Sequence, residues 1–301
     1  MQVQVTASWD PLGCDMVEKH PTYIVDAFTS ERFAGNQAAV CLIPRVLRDE
    51  EYRKIAAEFN LSETAFPIPT NGDFKTASSF TLRWFTPTTE VPLCGHATLA
   101  TSHVLFNEIG SNCQLLWREW ATDHLFDAPS HINDLIDCII PSSINVESVA
   151  YASEAKKLII VVDKQTTNFE LSEITTKNCN KMKALDPDGD FVRGVLVTLA
   201  PANAKIQGFT DCEDEPYDYV CRYFAPWVGI NEDPATGSAQ CALAPFWAAV
   251  LGKPVLYAFQ SYPNRGAQFR LQLRDSNRLA LLGKSVTVLQ GQLFLNEAVF
   301  Y

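Results

Sequence analysis

The stretch Arg83-Trp84-Phe85-Thr86-Pro87 recurs later in the chain as Arg222-Tyr223-Phe224-Ala225-Pro226. Each copy leads into an acidic, irregular segment, then a glycine, then a run of small residues typical of a helix. These continuations are Glu90-Val91-Pro92-Leu93-Cys94-Gly95-His96-Ala97-Thr98-Leu99-Ala100 and Glu232-Asp233-Pro234-Ala235-Thr236-Gly237-Ser238-Ala239-Gln240-Cys241-Ala242. The same order of features after the same frame indicates an internal repeat. We therefore predict two homologous lobes related by a pseudo-twofold axis.

Short apolar runs bounded by turn residues surround both copies and predict β-strands. The predicted strands are 23–28, 38–43, 62–66, 80–85, 157–162, 194–200 and 218–224. A helix is predicted from Leu47 to Phe59, where apolar residues recur at helical spacing. The tail from Phe269 to Leu295 is predicted as a meander with turns at 274–277, 283–284 and 290–292. Because few helical crossovers separate the strands, the predicted fold class is α+β with mainly antiparallel or mixed sheet.

The repeat also predicts the domain organisation. Residues 1–21 are predicted to be a polar leader, and 22–126 an N-terminal lobe that the last C-terminal strand completes. Residues 127–301 are predicted to form the C-terminal lobe. Pro245 lies eight residues after Gly237, inside the predicted second central helix. Since proline removes a backbone hydrogen bond, it should kink or break that helix near Ala242–Pro245.

Composition excludes several classes of partner. The 301-residue chain has a net charge of −11 and no cluster of lysine and arginine, which argues against nucleic acid and against a lipid surface. Its nine cysteines are odd in number and scattered, which favours reduced thiols and a cytoplasmic protein over a secreted disulfide scaffold. No CxxC pair and no His/Cys cluster with zinc spacing occurs, so no metal is predicted.

The two glycine-led helix starts are candidate binding elements. A helix start leaves backbone N–H groups unpaired and carries a partial positive charge. Two starts facing each other across a cleft would hold a substrate carboxylate without any lysine. The alternative is that both are ordinary helix ends, with Thr236 and Ser238 as caps.

Three groups able to carry protons accompany these starts: Glu63, His96 and Asp233. Each also has an ordinary structural interpretation, as a turn carboxylate, a helix-start imidazole and a turn aspartate before proline. Cys94 could be a nucleophile or a small buried apolar side chain. The residues alone leave these alternatives open.

Five motifs occur in an order that is specific when taken together. They are Phe33-Ala34-Gly35-Asn36-Gln37-Ala38-Ala39-Val40, Asn60-Leu61-Ser62-Glu63-Thr64-Ala65-Phe66, Arg83-Trp84-Phe85-Thr86-Pro87, Leu93-Cys94-Gly95-His96-Ala97-Thr98 and Glu232-Asp233-Pro234-Ala235-Thr236-Gly237-Ser238-Ala239. In this arrangement the chain resembles the phenazine-biosynthesis-like (PhzF-type) family of the diaminopimelate epimerase superfamily, and its animal branch most. The resemblance runs from about Tyr23 to near the C-terminus.

The resemblance implies two lobes, each a sheet curled around a central helix, with the active site between them. It implies that Glu63 is the acid/base residue, assisted by His96 and Asp233, in an isomerase without cofactor or metal. For this role we expect Glu63 in a poorly solvated pocket with a raised pKa. It further implies substrate binding near the helix starts and a homodimer. The substrate-binding candidates are Asn36, Gly95, Ala97, Thr236, Gly237 and Ser238.

One departure from the superfamily bears on function. Diaminopimelate epimerases use two thiols, and Cys94 matches the first, but Ala235 stands at the matching position of the second lobe. The sequence therefore favours an isomerase that moves a proton on a small carboxylate-bearing metabolite. The alternatives are an epimerase or racemase that depends on Cys94, and a non-catalytic module that binds a protein partner on an isomerase fold.

Overall fold

The computed structural model describes residues 17–111, 120–121, 125–127, 133–275 and 277–296. Its strands are β1 (Val17–Ala27), β2 (Asn36–Cys41), β3 (Glu63–Pro69), β4 (Phe80–Phe85), β5 (Glu90–Val91), β6 (Trp120–Ala121), β7 (Leu125–Asp127), β8 (Val146–Ala152), β9 (Lys157–Val162), β10 (Gly194–Leu199), β11 (Tyr219–Phe224), β12 (Val255–Tyr262), β13 (Arg265–Arg274), β14 (Arg278–Leu282) and β15 (Ser285–Asn296). Its α-helices are α1 (Asp49–Phe59), α2 (Gly95–His103), α3 (Asn133–Ile139), α4 (Asn168–Ser172), α5 (Cys179–Leu185), α6 (Ala204–Gln207) and α7 (Gly237–Leu251). Shorter helical turns are Val104–Glu108, a π-helix that extends α2, and the 3₁₀ turns Thr176–Asn178 and Pro226–Val228.

The strands form two mixed sheets, which confirms the predicted α+β class. The first sheet has the order β15-β1-β2-β3-β4-β5, and the second has the order β6-β14-β13-β12-β11-β10-β9-β8-β7. Neighbouring strands are antiparallel except for the parallel pairs β2–β3, β9–β10 and β11–β12. Each sheet packs against its own central helix, α2 against the first sheet and α7 against the second.

The repeated frame has the same local role in each lobe. Arg83 lies on β4 and donates two hydrogen bonds to Glu90, at 2.7 and 2.6 Å. Arg222 lies on β11 and donates two to Glu232, at 2.7 and 2.8 Å. In both lobes the arginine of the frame therefore ties its strand to the acidic segment that leads to the central helix.

A single apolar core connects the two lobes. It contains buried residues from both sheets and both central helices. At the junction, the rings of Phe28 and Phe269 lie 4.6 Å apart between centroids. Because the lobes share one packed core, the cleft between the two helix starts has a defined geometry.

Both ends of the described chain meet in the first sheet. β15 pairs with β1 along its whole length, from Val17 opposite Asn296 to Ala27 opposite Ser285. Residues 17–21, which the sequence analysis assigned to the leader, thus belong to a strand, while residues 1–16 lie outside the described residues. β6 and β7 pair with strands of the second sheet, so the change of sheet comes earlier in the chain than residue 127.

One local prediction is wrong, and one is wrong in part. The turn predicted at 290–292 lies inside β15, where Gly291 is opposite Thr22, because long-range pairing with β1 overrides the local turn signal. Helix α7 is not broken at Pro245 and continues to Leu251, while a bend near Ala242–Pro245 stays a prediction. The proline removes one hydrogen bond, but the helix is buried on most of its faces, and this packing holds it together.

The helices and the cysteines bear on membrane spanning and on disulfide bonding. No helix within the described ranges is long and apolar enough to cross a membrane. The seven cysteines among the described residues form no disulfide bond with one another.

Candidate active site

The two central helices begin at the cleft without side-chain caps. Among the described residues, neither Cys94 at the start of α2 nor Thr236 at the start of α7 caps its helix through its side chain. The Thr236 hydroxyl instead donates to Asp233 Oδ2. The interpretation of Thr236 as an ordinary cap is therefore wrong. The first N–H groups of each helix, at 95–96 and 237–238, have no acceptor within their own helix.

A cavity of about 280 Å³ lies between these helix starts. Seven of the nine predicted site residues line it: Glu63, Gly95, His96, Asp233, Thr236, Gly237 and Ser238. Asn36 lies in a neighbouring cavity of about 730 Å³ that shares Glu63 and Asp233 with the first. Ala97 is fully buried and lines neither cavity, and its N–H faces the Cys94 sulfur. The structure thus brings eight of the nine residues to the cleft and places the Ala97 side chain in the core.

Glu63 is the first residue of β3, and its carboxylate faces the start of α2. Its Oε2 lies 3.2 Å from His96 Nε2, and the two side chains are 12% and 7% exposed. This contact is an ion pair without hydrogen-bond alignment, since Oε2 is a buried atom with no hydrogen-bond partner in the part of the chain that the structure describes. The oxygen is thus paired in charge with the imidazole but keeps unused hydrogen-bonding capacity.

Burial of Glu63 follows the prediction, but the direction of its pKa does not. Burial raises the pKa of Glu63, yet interactions with His96, and to a lesser degree with Ser62 and Cys94, lower it below the usual value. Burial lowers the pKa of His96, but the adjacent Cys94 and the Glu63 carboxylate raise it by more than burial lowers it. The pKa of His96 therefore lies well above its usual value. The contacts in the site therefore favour an ionised Glu63 next to a protonated His96.

Asp233 reaches the same pair from the other lobe. Asn36 Nδ2 donates to Asp233 Oδ1 at 3.1 Å and lies 3.3 Å from His96 Nδ1. Burial raises the pKa of Asp233 to about 6, although His96 and Thr236 oppose the shift. Asn36 thus links the candidate acid/base groups of both lobes, and Asp233 titrates near neutral pH.

Three further polar residues shape the site, and the sequence analysis did not include them. Ser62 Oγ lies 3.3 Å from His96 Nε2. Gln260 donates to the Asp233 carbonyl at 2.6 Å and accepts from the Thr236 N–H at 2.9 Å. Lys157 donates to the Ser238 carbonyl at 3.0 Å. Ser62 could have been found because it precedes Glu63, whereas no sequence signal connects Gln260 or Lys157 to this cleft.

Gly35 positions Asn36 at the junction of the lobes. Its φ is +61°, and a Cβ at this position would lie 2.1 Å from the Ala27 carbonyl oxygen, so only glycine fits. Its N–H donates to Gly266 O at 2.7 Å, and its own carbonyl accepts from Arg265 Nε at 2.9 Å. These bonds fix the turn that delivers Asn36 against the second sheet.

Glu63, Cys94 and His96 are also the residues to consider for a metal ion, because their ligand atoms lie within 4.8 Å of one another. Cys94 Sγ is 3.5 Å from His96 Nδ1 and 4.0 Å from Nε2. The short distance to Nδ1 also places the thiol in direct contact with the imidazole that faces Glu63.

Cys94 is poorly suited to act as a nucleophile. Cys94 is 7% exposed, and burial raises the pKa of its thiol. Ala235, buried and on the wall of the same cavity, offers no second thiol.

Comparisons with known proteins show the family and the fold of this chain. The profile of the phenazine biosynthesis-like proteins, PhzC-PhzF, matches residues 25–122 and 136–291. A phenazine biosynthesis-like domain-containing protein from Bos taurus is 38% identical, covering 91% of this chain and 99% of its own. An uncharacterized isomerase from Halalkalibacterium halodurans is 35% identical over 91% of this chain and 98% of its own. The crystal structure of a PhzF-family protein from Enterococcus faecalis superposes with a TM-score of 0.73 at 29% identity, covering 92% and 100% of the two chains. The chain therefore belongs to the PhzC-PhzF family of phenazine biosynthesis-like proteins.

Proposed function

We propose that this protein is a cofactor-independent isomerase that moves a proton between carbon atoms of a small carboxylate-bearing metabolite. The substrate carboxylate binds the free N–H groups at the starts of α2 and α7. Glu63 transfers the proton, and His96 and Asp233 assist it. The name of the Halalkalibacterium halodurans relative supports the reaction class.

The observation that carries this proposal is the Glu63 carboxylate. Its Oε2 is buried without a hydrogen-bond partner among the described residues, and the cavity that it lines also contains both helix starts. A carboxylate bound at those starts would place its neighbouring carbon atoms near this oxygen. The oxygen would then find its missing partner in the proton that it removes.

The electrostatics of the cleft suggest how the proton moves. Glu63 is ionised and can accept a proton from a carbon atom of the substrate. The electron pair of the broken C–H bond then spreads over the conjugated bonds of the substrate. The substrate carboxylate adds negative charge beside Glu63 and raises its pKa toward the working pH. Glu63 then returns the proton to another carbon of these conjugated bonds, so no co-reactant is needed.

Deuterium uptake tests this proposal. The protein is incubated in heavy water with a panel of cyclic amino and hydroxy acids, and exchange at carbon is followed by mass spectrometry. Glu63→Gln keeps the shape of the side chain and removes the base, so exchange should fall by about 10²-fold or more. Glu58→Gln is the matched control, since Glu58 is an exposed residue of α1 and its substitution should leave exchange unchanged.

Two outcomes would contradict the proposal. Exchange that survives in Glu63→Gln would remove Glu63 from its role and favour the route through Cys94. Absence of exchange across the whole panel, with a folded protein, would favour the non-catalytic binding module.

A further inference from the structure

A third cavity, with an apolar lining, opens beside the candidate active site. Its volume is about 410 Å³, between the 280 Å³ of the cavity at the helix starts and the 730 Å³ of the cavity that contains Asn36. Leu93, Gly95 and Gly237 line both the apolar cavity and the cavity at the helix starts. The two spaces therefore meet at the helix starts, where the proposed substrate carboxylate binds.

The lining of the apolar cavity differs in polarity from that of the cavity at the helix starts. None of its ten lining residues carries a charge, and Thr98 supplies its one hydroxyl group. The large apolar side chains of its wall are Phe28, Trp84, Leu93, Leu99, Leu281 and Leu282. An apolar cavity next to a few convergent polar groups is the usual form of a small-molecule site.

Residues from both lobes form this apolar wall. Trp84 is on β4 and Leu99 is on α2, whereas Leu281 and Leu282 end β14 just before the chain crosses to β15. Gly283 lies at the crossing, and a Cβ there would be 2.3 Å from the Phe28 ring. The crossing segment can therefore pack closely against Phe28, which closes one side of the cavity.

Part of this apolar wall is open to solvent. Leu93 is 57% exposed and Leu282 is 54% exposed, although both belong to the cavity lining. Apolar surface of this kind gains free energy when a ligand covers it.

We propose that the substrate is a carboxylic acid with an uncharged apolar arm, such as an aromatic ring or an alkyl chain, and that this arm lies in the cavity formed by Phe28, Trp84, Leu93, Leu99, Leu281 and Leu282. This inference rests on the proposed function, because the carboxylate anchors at the helix starts and the reacting carbon lies between anchor and arm. It narrows the substrate class from small acids in general to acids with an apolar side group.

A binding series tests the arm separately from the chemistry. Acetate, butanoate, hexanoate and 3-phenylpropanoate are titrated by ligand-detected NMR into the wild type and into Glu63→Gln. Affinity should rise about fourfold for each methylene buried, until the cavity is full. Glutarate, whose chain length lies between those of butanoate and hexanoate, has a second carboxylate at its far end. It should therefore bind no better than acetate.

Two variants test whether the rise in affinity with chain length arises in the apolar cavity. Leu99→Trp fills the cavity from α2 and should flatten the dependence on chain length. Leu282→Asp places a charge at the half-exposed mouth, a position that tolerates it, and should weaken 3-phenylpropanoate about tenfold without weakening acetate. Leu185→Trp is the control, since Leu185 is an exposed leucine of α5 that does not line this cavity, and it should keep the wild-type series.

The outcomes separate this inference from the proposed function. A flat series in the wild type, or a series unchanged in both Leu99→Trp and Leu282→Asp, overturns the apolar subsite while leaving deuterium exchange by Glu63 untouched. A steep series that persists in Glu63→Gln supports the subsite even if no panel compound exchanges.

Discussion

The repeated arginine offers a matched pair of variants with very different expected costs. Arg222 and Glu232 have side chains only 2% and 3% exposed. Arg222 also donates to the carbonyls of Leu171 at 2.7 Å and Ile174 at 2.6 Å. Arg222→Met would leave a buried carboxylate and two carbonyls without their donor. Breaking a buried ion pair costs about 3–5 kcal/mol, and the lost carbonyl bonds add to it, so the free energy of unfolding should fall by about 5 kcal/mol.

Arg83→Met is the control from the other copy of the repeat. Arg83 has the same pair of bonds to its glutamate, but its side chain is 27% exposed and that of Glu90 is 42% exposed. Solvent screens such a pair, and its guanidinium also lies over the ring of Tyr52 at 4.8 Å. The expected loss is about 1 kcal/mol.

Urea unfolding, followed by tryptophan fluorescence and circular dichroism, measures both losses if the slope of the transition is unchanged. The Arg222→Met deficit should be smaller at pH 5 than at pH 8. Burial raises the pKa of Glu232 although Arg222 opposes the shift, so a Glu232 without Arg222 takes up a proton at low pH and loses stability as the pH rises. Equal losses in Arg222→Met and Arg83→Met, or a loss below about 2 kcal/mol in Arg222→Met, would refute this reasoning.

The remaining predictions concern the cleft. Cys94→Ser should retain deuterium exchange within about tenfold, as measured by the same mass spectrometry, because the buried thiol is not the base; a complete loss would support the thiol route. Asp233→Asn should raise the free energy of unfolding at pH 8 by about 2 kcal/mol and change it little at pH 4. The folded-state pKa of Asp233 is about 6, against a usual 3.8, so its ionisation costs stability as the pH rises through 6, and scanning calorimetry at both pH values checks the sign. Gly35→Ala should lower the urea midpoint by an amount equivalent to about 3 kcal/mol, because the Cβ meets the Ala27 carbonyl and φ is positive. An unchanged midpoint would mean that the turn can relax.

The sequence by itself predicted the class of fold and most residues of the candidate site. The repeated frame at Arg83 and Arg222 indicated two related lobes, and periods of apolar residues located strands such as Phe80–Phe85 and Lys157–Val162 at the bounds that the structure has. Glycines and short polar motifs marked both helix starts. These signals are local, since each depends on residues that are close together in the chain.

Only the tertiary structure decided the properties that arise from distant residues. Pairing with β1 turned the predicted turn at Gly291 into strand, and packing around α7 carried the helix through Pro245. The pKa of Glu63 is lowered rather than raised because His96, thirty-three positions away, lies against it. Gln260 and the apolar cavity beside the helix starts come from segments with no motif of their own. Burial, charge contact and cavity shape are set by which segments meet in space, and this is why local sequence could predict the catalytic candidates but not their electrostatics or the cavity beside them.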